Sequence, residues 1–144
     1  MEEVSQKDEK RLHFLTIKIV TPGGTIYNRN DIKMAVMNTM TGELGVMANH
    51  VPLVVALKIS QMRIYREAKV DLYAINGGFA EFRNNLLTIV ADSAENANDI
   101  NLSRALNAKK RAETREKNAA TAKERDRARI ALTRAINRIK TSKA

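Results

Sequence analysis

The sequence predicts an all-β sandwich or flattened barrel followed by a C-terminal two-helix α-hairpin, on three observations. First, between about residues 12 and 92, apolar residues alternate in short runs bounded by Gly, Pro and Asn, the period of half-buried strands. Second, all six glycines and both prolines lie at or before Gly78. Third, charge is split. Residues 103–144 hold 14 Lys+Arg and 4 Asp+Glu, a net of +10, whereas the residues before them hold 11 and 12, a net of −1. These shifts divide the chain into a flexible polar arm over 1–11, a β-sandwich domain over 12–99 and a basic α-helical hairpin over 100–144.

Taken in order, His13, Leu15, Ile17 and Ile19 share one face of a first strand, which Thr21-Pro22-Gly23-Gly24 ends with strong turn chemistry. Thr25–Tyr27 is a short return strand. Lys33–Thr39 and Leu44–Met47 follow, joined by a tight turn at Thr41-Gly42, where Gly accepts a positive φ. Pro52 cannot donate to a ladder and marks an edge or a loop exit. Val54–Ile59, Met62–Arg66, Val70–Asn76, Phe79–Arg83 and Leu86–Asp92 complete the strands, with Asn84-Asn85 as a hairpin turn. Strands this short and regular give a sandwich or barrel, and about 80 such residues suffice to bury a core of their own.

The tail has another period. Leu102, Ala105, Leu106 and Ala112 form a thin apolar stripe at helical spacing. Ala128, Ala131, Leu132, Ala135, Ile136 and Ile139 fit the 3–4 spacing without a miss. The stripe loses phase around Asn118–Thr121, which places a turn there and leaves two helices of about 16 to 20 residues, roughly 25 to 30 Å long. Alanine-rich stripes let helices approach closely but stabilise by only about 1 kcal/mol or less per alanine. A hairpin held this way opens at low cost.

Composition excludes most chemistry. With no Cys and only His13 and His50, a zinc or cupin-like site lacks ligands, and a reducing compartment is the default. Ser60 and Ser93 have no His–carboxylate partners in view, and neither Gly23-Gly24 nor Gly77-Gly78 is a P-loop or dinucleotide fingerprint. No catalytic or metal-ligating residue is therefore expected. No apolar run is long enough to span a bilayer, and the polar N-terminus is no signal peptide. Two binding alternatives stay open. The +10 tail would be drawn to a nucleic-acid backbone. However, Phe14, Phe79, Phe82, Tyr27, Tyr65 and Tyr73 all lie in the β half, so no stacking side chain interleaves with the tail arginines, and a leucine heptad is absent. Alternatively the tail binds a nucleotide. Arg104 and Arg111 share one helix face, and Arg134 and Arg138 another, so closing the hairpin can converge four guanidiniums on a polyphosphate. Otherwise they are exposed, mutually repelling charges.

Four blocks carry a family resemblance. They are Gly42-Glu43-Leu44-Gly45-Val46 with His50 and Pro52-Leu53, then Asn76-Gly77-Gly78-Phe79-Ala80-Glu81, Val90-Ala91-Asp92-Ser93-Ala94-Glu95, and Ile100-Asn101-Leu102-Ser103-Arg104-Ala105. In this order, followed by a basic helical tail, the chain resembles the epsilon subunit of the bacterial F-type rotary ATP synthase from about Leu12 to its C-terminus. The resemblance implies a non-catalytic rotor subunit of the central stalk, peripheral on the cytoplasmic face of the cell membrane and attached to it only through the complex. Its implied partners are the gamma subunit, the c-ring and the catalytic alpha and beta subunits. Glu43 is implied to face the c-ring loops and His50 to lie near gamma. The tail is implied to switch between a folded hairpin and an extended form that restrains ATP hydrolysis. No cofactor is required. Some members bind a regulatory ATP on the folded hairpin through an Ile/Leu-Asp-x-x-Arg-Ala motif, and Glu95, Arg104, Ala105, Arg111, Arg134 and Arg138 match that pattern. Asn101 stands where the motif has Asp. Asn loses the negative charge but remains a good N-cap, so the implied affinity for ATP is weakened or absent. A second departure is Ala48-Asn49 in place of the common Pro-Gly, which is expected to leave the loop before His50 less rigidly specified.

Overall fold

The computed structural model describes residues 13–143, and the arm expected over 1–11 lies outside them. Strand β1 (Leu15–Thr21) starts after His13, which is exposed rather than on the inner face. Its inward residues Leu15, Ile17 and Ile19 are at most 1% exposed, while Thr16 and Lys18 point away, as the two-residue period of a strand requires. Around them run β2 (Gly24–Ile32), longer than the three residues expected, β3 (Met34–Thr39), β4 (Gly42–Met47), β5 (Leu53–Tyr65), β6 (Val70–Arg83), β7 (Leu86–Ala91) and the short β8 (Ala94–Asn96). A 3₁₀ turn at Ala97–Asp99 leads into α1 (Leu102–Lys117) and α2 (Ala122–Lys143).

The strands form one sheet in the order β2-β1-β7-β6-β5-β3-β4, with β8 also on β6. Neighbours are antiparallel except β1 and β7, which run parallel in the register Ile17↔Leu87 and Ile19↔Ile89. The sheet folds over into a sandwich, and side chains from both layers share one core that includes Ile17, Ile32, Met37, Ile64, Phe82 and Ile89.

Where four strands were expected, β5 and β6 are two long ones. They stay in unbroken register from Leu53↔Phe82 to Tyr65↔Val70. Midway, both change which residues face the core. In β5 the inward side chains pass from Leu57 to Met62 and Ile64, and in β6 from Tyr73 and Ile75 to Ala80 and Phe82. The odd–even alternation therefore breaks although the backbone ladder does not, and each strand reads as two. Gly77 and Gly78, at φ +80° and +125°, make the change in β6. At Gly78 a Cβ would lie 2.0 Å from the Val90 carbonyl oxygen of β7, so only glycine fits.

The open side of the sandwich is tied by a polar cluster. The Tyr27 hydroxyl on β2 donates to Asp71 on β6 at 2.7 Å, and Arg66 grips the same carboxylate through Nε and Nη2 at 2.8 and 3.0 Å. The Tyr27 and Tyr73 rings meet edge to face at 5.4 Å. Burial, together with the hydrogen bond to Asp71, pushes the Tyr27 phenol far above its ordinary range and keeps it a donor. For Asp71 burial alone acts upward, but the hydrogen bonds and charge of Arg66 and Tyr27 outweigh it and hold the carboxyl below its usual value.

A carboxyl depressed in the folded state binds its proton less readily there than in the unfolded chain. Its contribution is therefore complete above the ordinary carboxylate range and is lost as pH falls through the folded pKa. Asp71→Asn is expected to destabilise the chain by about 1–3 kcal/mol at neutral pH and to flatten the loss of stability below about pH 4. Asp31, lowered by its hydrogen bonds from Arg29, is retained in both proteins. Urea unfolding across pH compares the two, and equal pH profiles would overturn the assignment.

Candidate functional site

The hairpin turns where the stripe loses phase, between Lys117 and Ala122. Its entry is an N-cap that the sequence spells as the capping-box pattern Thr121-x-x-Glu124, with Glu124 reaching one residue further back than in that box, and that periodicity alone passed over. Thr121 Oγ1 accepts from Glu124 N at 3.1 Å, and Glu124 Oε2 accepts from Ala120 N at 3.0 Å. The two helices meet along alanines seven apart, Ala105 and Ala112 facing Ala128 and Ala135, all at most 4% exposed. Leu102 and Leu106, expected in that stripe, flank it instead at 36% and 40% exposure, because the close approach admits only methyl groups. One ion pair spans the hairpin, Arg129 Nε to Glu116 Oε1 at 3.0 Å.

The hairpin docks on the sandwich through α2, which packs on β5, β6 and the 3₁₀ turn. Here the expected site residues part company. Glu95 on β8 and Arg138 on α2 come together: Arg138 Nε lies 2.8 Å from Glu95 Oε1, and Nη2 donates to Oε2 at 3.1 Å. Asn101 is the N-cap of α1, its Oδ1 accepting from Arg104 N at 3.0 Å, and Ala105 is sealed in the helix–helix seam. Arg104, Arg111 and Arg134 are exposed. Two contributors went unforeseen because they are polar on an otherwise apolar face. They are Asn137, whose Nδ2 reaches Ile75 O at 3.4 Å, and Thr141, which is fully buried.

The two expected partner contacts lie apart from that seam. Glu43 sits on the edge strand β4 with its side chain 60% exposed, and Arg63 of β5 reaches past β3 to donate to it at 2.8 Å. Half-buried His50 places Nδ1 2.8 Å from Val51 O, which assigns the proton to that nitrogen, and meets the Phe82 ring edge to face at 5.9 Å. The loop before it is better specified than its departure from Pro-Gly suggested. Asn49 takes the left-handed conformation at φ 66°, the one a glycine there would supply. Its N–H donates to Asn85 Oδ1 at 2.6 Å, while Asn85 Nδ2 donates to Asn49 Oδ1 at 3.2 Å. The β4–β5 loop is thereby clasped to the β6–β7 turn.

An apolar row crosses the outer face of the same layer. Ala56, Phe79, Val90 and Val20 lie directly opposite one another on β5, β6, β7 and β1. Phe79 is 46% exposed, Val90 37% and the nearby Val54 70%. Contiguous apolar surface of this kind marks a protein contact. Among the described residues no group of three or more His, Cys, Asp or Glu is placed to hold a metal ion, and no helix is long and apolar enough to cross a membrane.

Residues 14–97 match the family described as ATP synthase, Delta/Epsilon chain, beta-sandwich domain, and residues 98–143 match its long alpha-helix domain. The ATP synthase epsilon chain of Pediococcus pentosaceus is 49% identical over 132 residues, 90% of this chain and 95% of that one. That of Levilactobacillus brevis is 46% identical over 132 residues, 90% and 94% of the two chains. A chain in the Euglena gracilis mitochondrial ATP synthase, solved as OSCP/F1/c-ring, superposes with a TM-score of 0.75 at 22% identity, over 86% of this chain and 78% of that one, a likeness of fold. The nucleic-acid alternative for the basic tail finds no support among them.

Asn49 and Asn85 both hold positive φ, so glycine at either keeps the backbone; at Asn85 it removes both bonds of the clasp, and at Asn49 it removes the one accepted by the side-chain oxygen. Each single change to Gly is expected to destabilise by about 1 kcal/mol. The double change should lose about 0.5–1 kcal/mol less than the sum. Denaturant unfolding of the four proteins measures the coupling, and strict additivity would deny the clasp.

Proposed function

The chain belongs to the ATP synthase epsilon-chain family, and from that premise we propose a non-catalytic rotor subunit that couples c-ring rotation to gamma and restrains ATP hydrolysis with its basic hairpin. The observation that carries this reading is the division of labour in the chain. A sandwich with a sealed core presents an apolar outer face, and a +10 hairpin is fastened to it through one helix and one partly exposed ion pair. The sandwich supplies a rigid body. The row through Phe79 and Val90, with the clasped His50 loop, is the face that would meet gamma. Glu43, on the edge strand at the opposite end of the β6-β5-β3-β4 run, would meet the polar loops of the c-ring. Attachment is peripheral, on the cytoplasmic side of the cell membrane and through the complex alone.

Restraint of hydrolysis follows from electrostatics. The hairpin's charge is self-repelling while folded and would be neutralised against acidic surfaces of the catalytic alpha and beta subunits once extended. The subunit contributes position and charge, and catalysis stays in the head. An epsilon-depleted head titrated with the full chain should lose ATP hydrolysis, and titrated with residues 1–99 should bind without inhibition, since the shared core lies within Leu15–Ala91. Binding by both without inhibition by either would remove the regulatory role and leave the coupling one. Binding by neither would remove both.

Regulatory ATP on the folded hairpin is the finer part of the proposal. Here the nucleotide has to compete with Glu95 for Arg138, and Asn101 offers its cap oxygen without a charge, so ATP binds weakly. Asn and Asp are equivalent N-caps to within a few tenths of a kcal/mol. Asn101→Asp is therefore expected to leave folding unchanged and to tighten ATP binding about tenfold, the scale of one charge-assisted hydrogen bond. Titration calorimetry reads the difference, and equal binding by both chains would reduce the position to a cap.

A further inference from the structure

The joint beneath α2 is polar at its centre. Thr141 is 0% exposed, and its Oγ1 has no hydrogen-bond partner. Asn76, at 5% exposure on β6, donates Nδ2 to Ser93 Oγ at 2.7 Å, yet its Oδ1 has no partner either. Asn137 is 7% exposed and reaches the Ile75 carbonyl only at 3.4 Å, beyond the usual N–H···O range. Alongside runs a crevice of about 350 Å³ whose lining mixes Ile59 and Ile136 with polar side chains, among them Asn38, Gln61, Asn137 and Lys140. A permanent joint would be apolar or fully hydrogen-bonded.

We propose that this unsaturated seam is the element that sets how readily the tail leaves the sandwich, with Thr141 weakening the docked state and the Glu95–Arg138 pair opposing it. The proposal deepens the inhibitory-tail reading and rests on it for its consequence. In the docked state neither Thr141 Oγ1 nor Asn76 Oδ1 has a protein hydrogen-bond partner, so both favour release. The ion pair of Arg138 with Glu95 acts the other way: Nη2 donates to Oε2 at 3.1 Å, while Nε, 2.8 Å from Oε1, makes no hydrogen bond of good geometry. The pair's side chains are 23% and 33% exposed, which keeps it responsive to ionic strength. Thr141 and Arg138 lie three residues apart on one helix, so release at one is felt at the other. Replacing the Thr141 hydroxyl by a methyl of the same shape removes the dry polar atom and keeps the packing.

Because the chain has no cysteine, dyes can be attached at Lys58→Cys on β5 and Lys123→Cys on α2, both exposed. Energy transfer within the full chain then reads the docked-to-released ratio, in a mild urea series that keeps both populations visible. Thr141→Val is expected to raise that ratio about tenfold. Thr141→Ser keeps the hydroxyl and vacates a methyl, so it should not raise it. Glu95→Gln should lower the ratio severalfold, and added salt should do the same to the parent chain. An unchanged or lower ratio in Thr141→Val, or an equal rise in Thr141→Ser, would overturn the proposal. The same chains added to an epsilon-depleted head separate the two readings. A higher docked ratio with weaker inhibition supports both, whereas a higher ratio with unchanged inhibition leaves the seam standing and removes the inhibitory tail.

Discussion

The contact on which the rest of the structure depends is the approach of Gly78 to the Val90 carbonyl. No side chain fits there, since a Cβ would sit 2.0 Å from the oxygen. Gly77 and Gly78 let β6 reverse its inward face without leaving the β5 ladder, so one hairpin serves both layers of the sandwich. From that reversal follow three other features. The second half of β6 meets β7, and β7 then lies parallel to β1. Phe79, the next residue, is turned outward into the apolar row. The first half of β6 is left free to pair with β8, which carries Glu95.

This explains which parts of the fold were legible. Period-two runs in β1 and β7 and the glycine and asparagine turns read directly, because each strand buries one face and keeps it. Both long strands misread as pairs because their buried face changes while their hydrogen bonding does not, and alternation reports only the face. The helix–helix contact read well through its alanines and less well through Leu102 and Leu106, which share the period but are too large for the seam. Thr121 and Glu124 had spelled the capping-box pattern in plain sequence.

The candidate site was legible as a set of residue types and not as a set of contacts. Charge and spacing drew attention to Arg104, Arg111, Arg134 and Arg138 alike, since periodicity fixes only the face of a helix. Of the four, Arg138 is joined to Glu95, and that pairing spans 43 residues that no local pattern connects. Asn137 and Thr141 were invisible for a related reason. A polar residue beside an apolar stripe looks solvated until the element covering it is known. The Asn49–Asn85 clasp joins two turns, each readable alone, by a contact that neither turn requires.

The bend in β6 and the fastening of the tail are the same piece of architecture seen from two sides. Asn76 precedes the two glycines and binds Ser93 through both backbone and side chain, which sets the start of β8 and hence the height of Glu95. Its remaining oxygen, like Thr141 Oγ1 and Arg138 Nε, is a buried polar atom without a hydrogen-bond partner. The residue that anchors the clasp for Arg138 therefore also weakens the joint that the clasp protects. A rotor subunit requires a body rigid enough to carry torque and an arm free enough to leave it. Placing both demands on one turn of β6 satisfies them within one continuous element, because the sandwich is held by backbone pairing and close packing, whereas the hairpin is held by side chains across a partly polar seam.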